Sequence, residues 1–195
     1  PEPPKDGNAQ NCGVVGQILQ TVIAIAVTVA TGGNAVLGNL ASQAFGLVTG
    51  IQDKFSWKAL GMSYVTMGLN RVKAFADVSG AIANGVGASS SGAVATGISA
   101  SLSSAAAQGI GVATGLRDSF SWSGVAAAGV GAGVGHLAGD ALGKMALNAN
   151  GPRALSEGTL ASIEIGSRSA SALANAATRS ALDGTNFGDN IVAAI

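Results

Sequence analysis

Small residues recur at every fourth position over long stretches of this sequence, and this spacing limits how the chain can fold. The longest series runs through Ser123, Ala127, Gly131, Gly135, Gly139 and Gly143. Residues four apart share one face of an α-helix, so the series predicts a smooth face of glycine-zipper type. Each interior glycine costs a helix about 1 kcal/mol relative to alanine, and close backbone packing must offset that cost. We therefore predict that the four glycines are helix-packing positions.

A second series of small residues predicts another narrow-faced helix. Its members are Gly87, Ser91, Ala95, Ser99, Ser103, Ala107, Gly111 and Gly115. The first part of this series lies in the Ser- and Gly-rich stretch 85–92, which is equally compatible with a flexible connector. The residue at which this helix begins is therefore left open by the sequence.

The composition explains why such faces are needed. The 195 residues include 30 Gly but only 5 Phe, 2 Trp and 1 Tyr, so close backbone approach must replace the packing of bulky side chains. Only 10% of residues are charged and 48% are hydrophobic, which predicts a folded chain and not a disordered one. The formal net charge is zero, so no long-range field attracts nucleic acid, and we expect no nucleic-acid partner.

The chain divides into three segments by composition. Residues 1–12 are predicted to form a polar, Pro-rich linker, and residues 13–150 a Gly/Ala-rich helical repeat region. The segment Asn148–Pro152 is a clear break, after which residues 151–195 predict amphipathic helices and the start of a truncated third repeat. Because the chain opens without Met and stops in an apolar run, we expect it to be a piece of a longer polypeptide.

The first apolar segment, residues 13–31, has three interpretations. No charge occurs between Asp6 and Asp53, and the segment is just long enough to span a bilayer as a helix. Its Gln and Thr residues also fit a buried helix of a soluble bundle, and its β-branched residues fit a strand. In each case Gly32-Gly33 predicts a stop.

An internal repeat is the most detailed pattern in the chain. Residues 40–57 align with residues 105–122 at an offset of 65 through the frame Gln-x-x-Gly-x-x-Thr-Gly-x-x-Asp-x-Phe-Ser-Trp, and residues 176–189 form a fainter third copy. Each unit predicts a helix, a Thr-Gly stop, an aromatic pair and a second helix that begins at an N-cap serine, Ser56 or Ser121. The predicted anchors of the turn and core are Asp53, Phe55, Trp57, Asp118, Phe120 and Trp122.

The predicted fold class is therefore all-α, with two to three repeat-like helical hairpins and tightly packed small-residue helix faces. One His, one Cys and scattered carboxylates give no cluster with metal-ligand spacing, so we expect no metal and no cofactor. His136 and Asp140 lie four residues apart, and we interpret them as a surface or interfacial pair. With no plausible nucleophile beside them, we expect no enzyme activity and assign no catalytic residues.

Three stretches resemble the C-terminal pretoxin region of filamentous-haemagglutinin-like exoproteins. They are the charge-poor run 23–33, the run Asp118–Gly135 and the segment Gly184–Ile191. Such exoproteins are the two-partner-secreted, contact-dependent growth inhibition proteins associated with bacterial virulence. The resemblance implies a secreted or cell-surface protein whose pretoxin region lies between a stalk and a variable C-terminal toxin. It brings no catalytic residues.

The leading functional hypothesis is a non-catalytic domain that presents or helps translocate a C-terminal effector. We expect Gly-faced helices to insert into a membrane, which is feasible because each charged residue at a bilayer centre would cost about 2.5 to 3.5 kcal/mol and few are present. The expected partners are the bilayer of a target cell and the adjoining toxin domain, and an oligomer is compatible with the sequence. A structural spacer without lipid contact and a directly pore-forming toxin are the alternatives.

Overall fold

The computed structural model describes residues 9–69, 73–89, 91–151, 156–187 and 190, and these fold into helices without a strand. The helices are α1 (Ala9–Ala30), α2 (Ala35–Val48), α3 (Trp57–Leu69), α4 (Lys73–Gly85), α5 (Ala93–Ala113), α6 (Trp122–Asn150) and α7 (Glu157–Asp183). The all-α prediction is confirmed, and the strand interpretation of residues 13–31 is wrong. Helix α1 also begins inside the segment predicted to be a linker; residues 1–8 lie outside the described residues.

Local sequence signals set several helix ends. The side chains of Ser56 and Ser121 accept the backbone N–H groups of Ala59 and Gly124, so both predicted N-caps are confirmed. Helix α4 ends at Gly85 and α5 begins only at Ala93, so the described residues between them, 86–89 and 91–92, form the connector that the sequence left open. In the third predicted repeat, α7 continues without a stop to Asp183, and a left-handed Gly184 ends it.

The helices pack mostly against their neighbours along the chain. The most extensive contacts join α6 to α7 and α5 to α6, followed by α1 with α2 and α4 with α5. Helix α3 also packs on α5, and α1 contacts α7. Ser123 near the start of α6 hydrogen-bonds Asp183 at the end of α7, which fixes these two helices as antiparallel.

One end of the bundle collects several of the turns. We call it the corner end and define it by residues 50–58, residues 115–123 and the last turn of α7. The Lys58 ammonium lies 3.1 Å from the Asp118 carboxylate, which joins the first two turns, and the Ser123–Asp183 bond joins the second turn to α7. The corner end therefore brings together segments that are about 60 residues apart in sequence.

The interior is made of small and polar side chains. Among the residues whose burial is described, the buried apolar residues are all alanine except Ile25 and Val36. The buried polar residues are Gln20, Thr21, Thr28, Ser42, Gln43, Ser79, Ser103 and Gln108. Gln20, only 1% exposed, is the largest fully buried side chain, and its Nε2 donates to the Ser42 carbonyl and to Gln52 Oε1. Soluble domains normally bury Leu, Ile, Val and Phe instead.

Large apolar side chains lie on the outside of the same helices. In the uncharged stretches of the helices, the exposed large apolar side chains include Val15, Ile18, Leu19, Val22, Leu37, Leu47, Val94, Ile110, Val130, Val134, Leu137 and Leu173. Large exposed apolar surfaces mark sites of interaction with a protein or a membrane. The side-chain distribution therefore directs the search for a functional site to the outer surface of the bundle.

Candidate functional site

The glycine series of α6 faces α7 over three of its four predicted positions. A Cβ atom at Gly131 would lie 2.7 Å from the Ser171 carbonyl oxygen, and one at Gly135 would lie 2.8 Å from the Ser171 Cβ. A Cβ at Gly139 would make an ordinary 3.4 Å contact with Ser167, whereas one at Gly143 would meet nothing within 4 Å. The structure thus places the first three glycines in the α6–α7 contact and leaves the fourth outside it.

A second glycine face of α6 packs on α5, and the sequence analysis did not single it out. A Cβ at Gly97 would lie 2.8 Å from the Gly129 carbonyl oxygen, and one at Gly133 would lie 3.3 Å from the Ala93 carbonyl oxygen. The Ser101 hydroxyl also donates to the Val125 carbonyl across this contact. Because two small faces hold α6 on both sides, its larger residues are left to point outward.

The two turns that carry the aligned residues have the same hydrogen-bond pattern. Gln43 Oε1 accepts the backbone N–H of Ser56 at 2.5 Å, and Gln108 Oε1 accepts that of Ser121 at 2.7 Å. In both turns a glycine follows the Thr C-cap with a φ of +72°, a conformation that favours glycine. The same sequence frame therefore produces the same local geometry at the two places.

We expect destabilisation at both positions when either glutamine loses its acceptor. Gln43→Met and Gln108→Met keep the length of the side chain but leave a serine N–H without its partner, which costs about 1 to 3 kcal/mol. Chemical unfolding followed by circular dichroism gives the free energy of unfolding of each variant. A loss at one position with none at the other would contradict a shared role.

Of the predicted aromatic anchors, the two tryptophans lie on the surface, whereas Phe55 is half-buried and Phe120 is 37% exposed. Phe55 and Trp57 pack edge to face with ring centroids 4.8 Å apart, and Phe120 and Trp122 do the same at 4.9 Å. Trp57 is 74% exposed and Trp122 is 76% exposed. The two indoles are therefore mostly exposed; each follows its N-cap serine and packs against the nearby phenylalanine.

The predicted acidic anchors, Asp53 and Asp118, are also exposed at the corner end. Asp118 pairs with Lys58, and both side chains are mostly in solvent, so this ion pair contributes at most about 1 kcal/mol. Close by, burial lowers the pKa of the half-buried Arg179; the charge of Arg117 lowers it further, whereas Asp183 opposes the shift. Charged groups thus concentrate at this end of the bundle.

The pair His136 and Asp140 lies on the far half of α6. His136 Nε2 lies 3.0 Å from the Ser91 carbonyl oxygen, and Nδ1 lies 3.5 Å from the Asp140 carboxylate. Because a carbonyl oxygen only accepts hydrogen bonds, His136 Nε2 carries the proton. This hydrogen bond joins the segment before α5 to α6, while Asp140 lies one turn further along the same helix.

Between these charged regions the outer surface has a stretch without charge. Along α6 no Asp, Glu, Lys or Arg occurs from Trp122 to Gly139, a rise of about 27 Å at 1.5 Å per residue. Helices α1, α2 and α5 have no charged residue at all. In α7 the stretch between Arg168 and Arg179 is shorter, about 16 Å. We call the uncharged parts of these helices the apolar band.

In the part of the chain that the structure describes, one helix is long and apolar enough to cross a membrane, Trp122–Ala149. Only 22% of its most apolar window is buried inside the fold. Two shorter apolar helices, Val15–Ala30 and Ala35–Val48, accompany it. Across the same described residues, no three His, Cys, Asp or Glu side chains come close enough to hold a metal ion.

No protein-family model, curated protein or solved structure matches this chain. The resemblance to filamentous-haemagglutinin-like exoproteins therefore stays a prediction from the sequence. The apolar band and the corner end are the features on which a functional proposal rests.

Proposed function

We propose that this chain is a non-catalytic domain that inserts its apolar band into a lipid bilayer. The observation that carries the proposal is the distribution of side chains: alanine, glycine and polar residues fill the helix contacts, and large apolar residues face outward. In membranes, helices associate through small residues and interhelical hydrogen bonds while bulky apolar residues contact lipid.

The polar interior supports the same conclusion. The hydroxyl of Thr28 donates to the Ala24 carbonyl, and Gln20 and Ser101 bond across helix contacts. The donors of these side chains are satisfied inside the bundle, as a surface in lipid requires, and Gln20 Oε1 is buried without a hydrogen-bond partner among the described residues. Length and apolar composition alone also occur in core helices of soluble proteins, but the exposed side of α6 distinguishes it from such a helix.

The dimensions of the apolar band fit a bilayer. Its rise of about 27 Å along α6 is close to the hydrocarbon thickness of about 30 Å. Arg168 and Arg179 border the shorter stretch of α7, and long arginine side chains can extend toward the headgroups. Helix α4 carries Lys73 and Asp77 four residues apart, so the proposal places α4 outside the band.

We also propose that the domain is built from repeated units. The shared geometry of the two turns supports this, and so do the contacts between successive units. Lys58 bonds Asp118, and Ser123 bonds Asp183. In both cases the residue directly after a tryptophan contacts an aspartate 60 positions further along the chain. The offset of 65 that relates Lys58 to Ser123 also relates Asp118 to Asp183.

The biological role that we propose is delivery of an adjoining C-terminal effector from a secreted or cell-surface bacterial exoprotein into a target-cell membrane. This part of the proposal rests on the sequence resemblance alone. Membrane insertion, however, supplies a physical step that a spacer without lipid contact would lack. A pore-forming toxin would in addition give a conductance from the isolated domain.

Cysteine accessibility tests the insertion directly. In a Cys12→Ser background, we compare Val130→Cys, in the apolar band, with Met145→Cys on the same helix beyond it. In the structure both parent side chains are exposed, at 46% and 63%. Neutral phospholipid vesicles should slow the reaction of Val130→Cys with a membrane-impermeant maleimide by more than about tenfold, because the thiolate is disfavoured in apolar surroundings. Met145→Cys should keep its rate.

The vesicle-free rates provide the control for folding. Both variants should react readily in the absence of lipid if the surface is open as described. Equal labelling of the two cysteines with and without vesicles would overturn membrane insertion and favour the spacer.

A further inference from the structure

Both tryptophans of the chain lie at the corner end. Trp57 and Trp122 are the only two in the sequence, and each is about three-quarters exposed. Lys58, directly after Trp57, pairs with Asp118, four residues before Trp122. This contact shows that the two turns lie next to each other, so the two indoles lie at one end of the apolar band.

Charged residues of both signs lie around the indoles. The corner end contains Asp53, Lys54, Lys58, Arg117, Asp118 and Asp183, with Arg179 one turn away on α7. A surface with both signs interspersed matches the paired phosphate and amine charges of a zwitterionic headgroup layer. It provides no polybasic cluster of the kind that anionic lipid attracts.

We propose that the corner end sits in the headgroup layer of a neutral phospholipid bilayer and that Trp57 and Trp122 are its two interfacial anchors. The proposal rests on the proposed function and adds an orientation to it. Indole rings have an apolar body and one N–H donor, and they concentrate at membrane–water interfaces for this reason. Moving the charged corner through the hydrocarbon would be costly, so this end stays at the face where it first binds.

Fluorescence quenching tests this orientation because the chain has only two indoles. Trp57→Phe and Trp122→Phe each leave one reporter, and phosphatidylcholine brominated near the headgroup or near the chain ends measures its depth. The depth reference is Val130→Trp in the double-Phe background, since position 130 lies eight positions along α6 from Trp122. Val134→Trp is a second reference in case the first variant fails to fold.

We expect both native indoles to be quenched most strongly by shallow bromines and to lie at one depth. The reference indole at position 130 should lie about 12 Å deeper along α6. If the reference indole lies deep and Trp57 or Trp122 lies at that same depth, the proposed orientation is wrong while membrane insertion stands. The orientation is also wrong if neither lipid bromines nor aqueous acrylamide quench the native indoles. That result would mean that the corner end is covered by contact between copies of the chain. If lipid quenches none of the indoles, the proposed function fails as well.

Discussion

Gly131→Ala is expected to destabilise the fold although alanine is the better helix former. The new methyl group would lie 2.7 Å from the Ser171 carbonyl oxygen and 3.0 Å from the Asn175 Cβ, so α6 and α7 must separate. Overpacking costs about 1 to 3 kcal/mol, while the gain in helix propensity returns about 1 kcal/mol. We therefore expect a net loss of up to about 2 kcal/mol, and loss of folding for Gly131→Leu.

Gly143→Ala on the same helix is the matched control. No atom lies within 4 Å of its added methyl group, so only the propensity term acts. The free energy of unfolding should rise by up to about 1 kcal/mol, a change opposite in sign to that at Gly131. Thermal unfolding followed by circular dichroism measures both variants. Similar stabilisation at the two positions would show that α6 and α7 do not approach closely at Gly131.

Val130→Asp is expected to abolish most of the bilayer affinity without unfolding the chain. Val130 is exposed near the middle of the apolar band, so a carboxylate there is tolerated in water. In the hydrocarbon it would cost about 2.5 to 3.5 kcal/mol, which weakens partitioning about 100-fold. Aspartate is chosen because its short side chain reaches the headgroups less readily than that of lysine.

Met145→Asp is the control for this second substitution. It introduces the same charge into the same helix, next to Lys144 and beyond the apolar band. We expect its partition coefficient to stay within a few-fold of that of the native chain. Equal losses for the two variants would mean that charge alone, and not its depth in the band, controls lipid binding.

The sequence was sufficient for much of the local structure. The N-cap serines, the Gly32-Gly33 stop and the break near residue 150 lie where the structure has helix ends. These signals are local, because a cap or a left-handed glycine acts on its own turn. The start of α5 was left open because a Ser/Gly-rich stretch has no strong preference between helix and connector.

The direction in which each helix face points could not be predicted. In an ordinary soluble helix the polar face marks the outside. Helices α5 and α6 instead have one face of small residues and another of large apolar residues, with few charged residues to mark the outside. Periodicity therefore predicted a small-residue face on α6, but it identified neither α7 as the helix packed on it nor Gly97 and Gly129 as a second contact. The exposure of Trp57 and Trp122 was missed for the same reason, since aromatic residues are ordinarily assigned to a core.

The central claim, that the outer apolar surface meets lipid, is tested most directly by flotation of the native chain with neutral phospholipid vesicles, combined with circular dichroism of the floated fraction. The account predicts that the chain floats at high ionic strength, keeps its helical spectrum and protects α6 from protease up to about Gly139. A helical, monodisperse chain that stays at the bottom of the gradient with every lipid composition tried would contradict it.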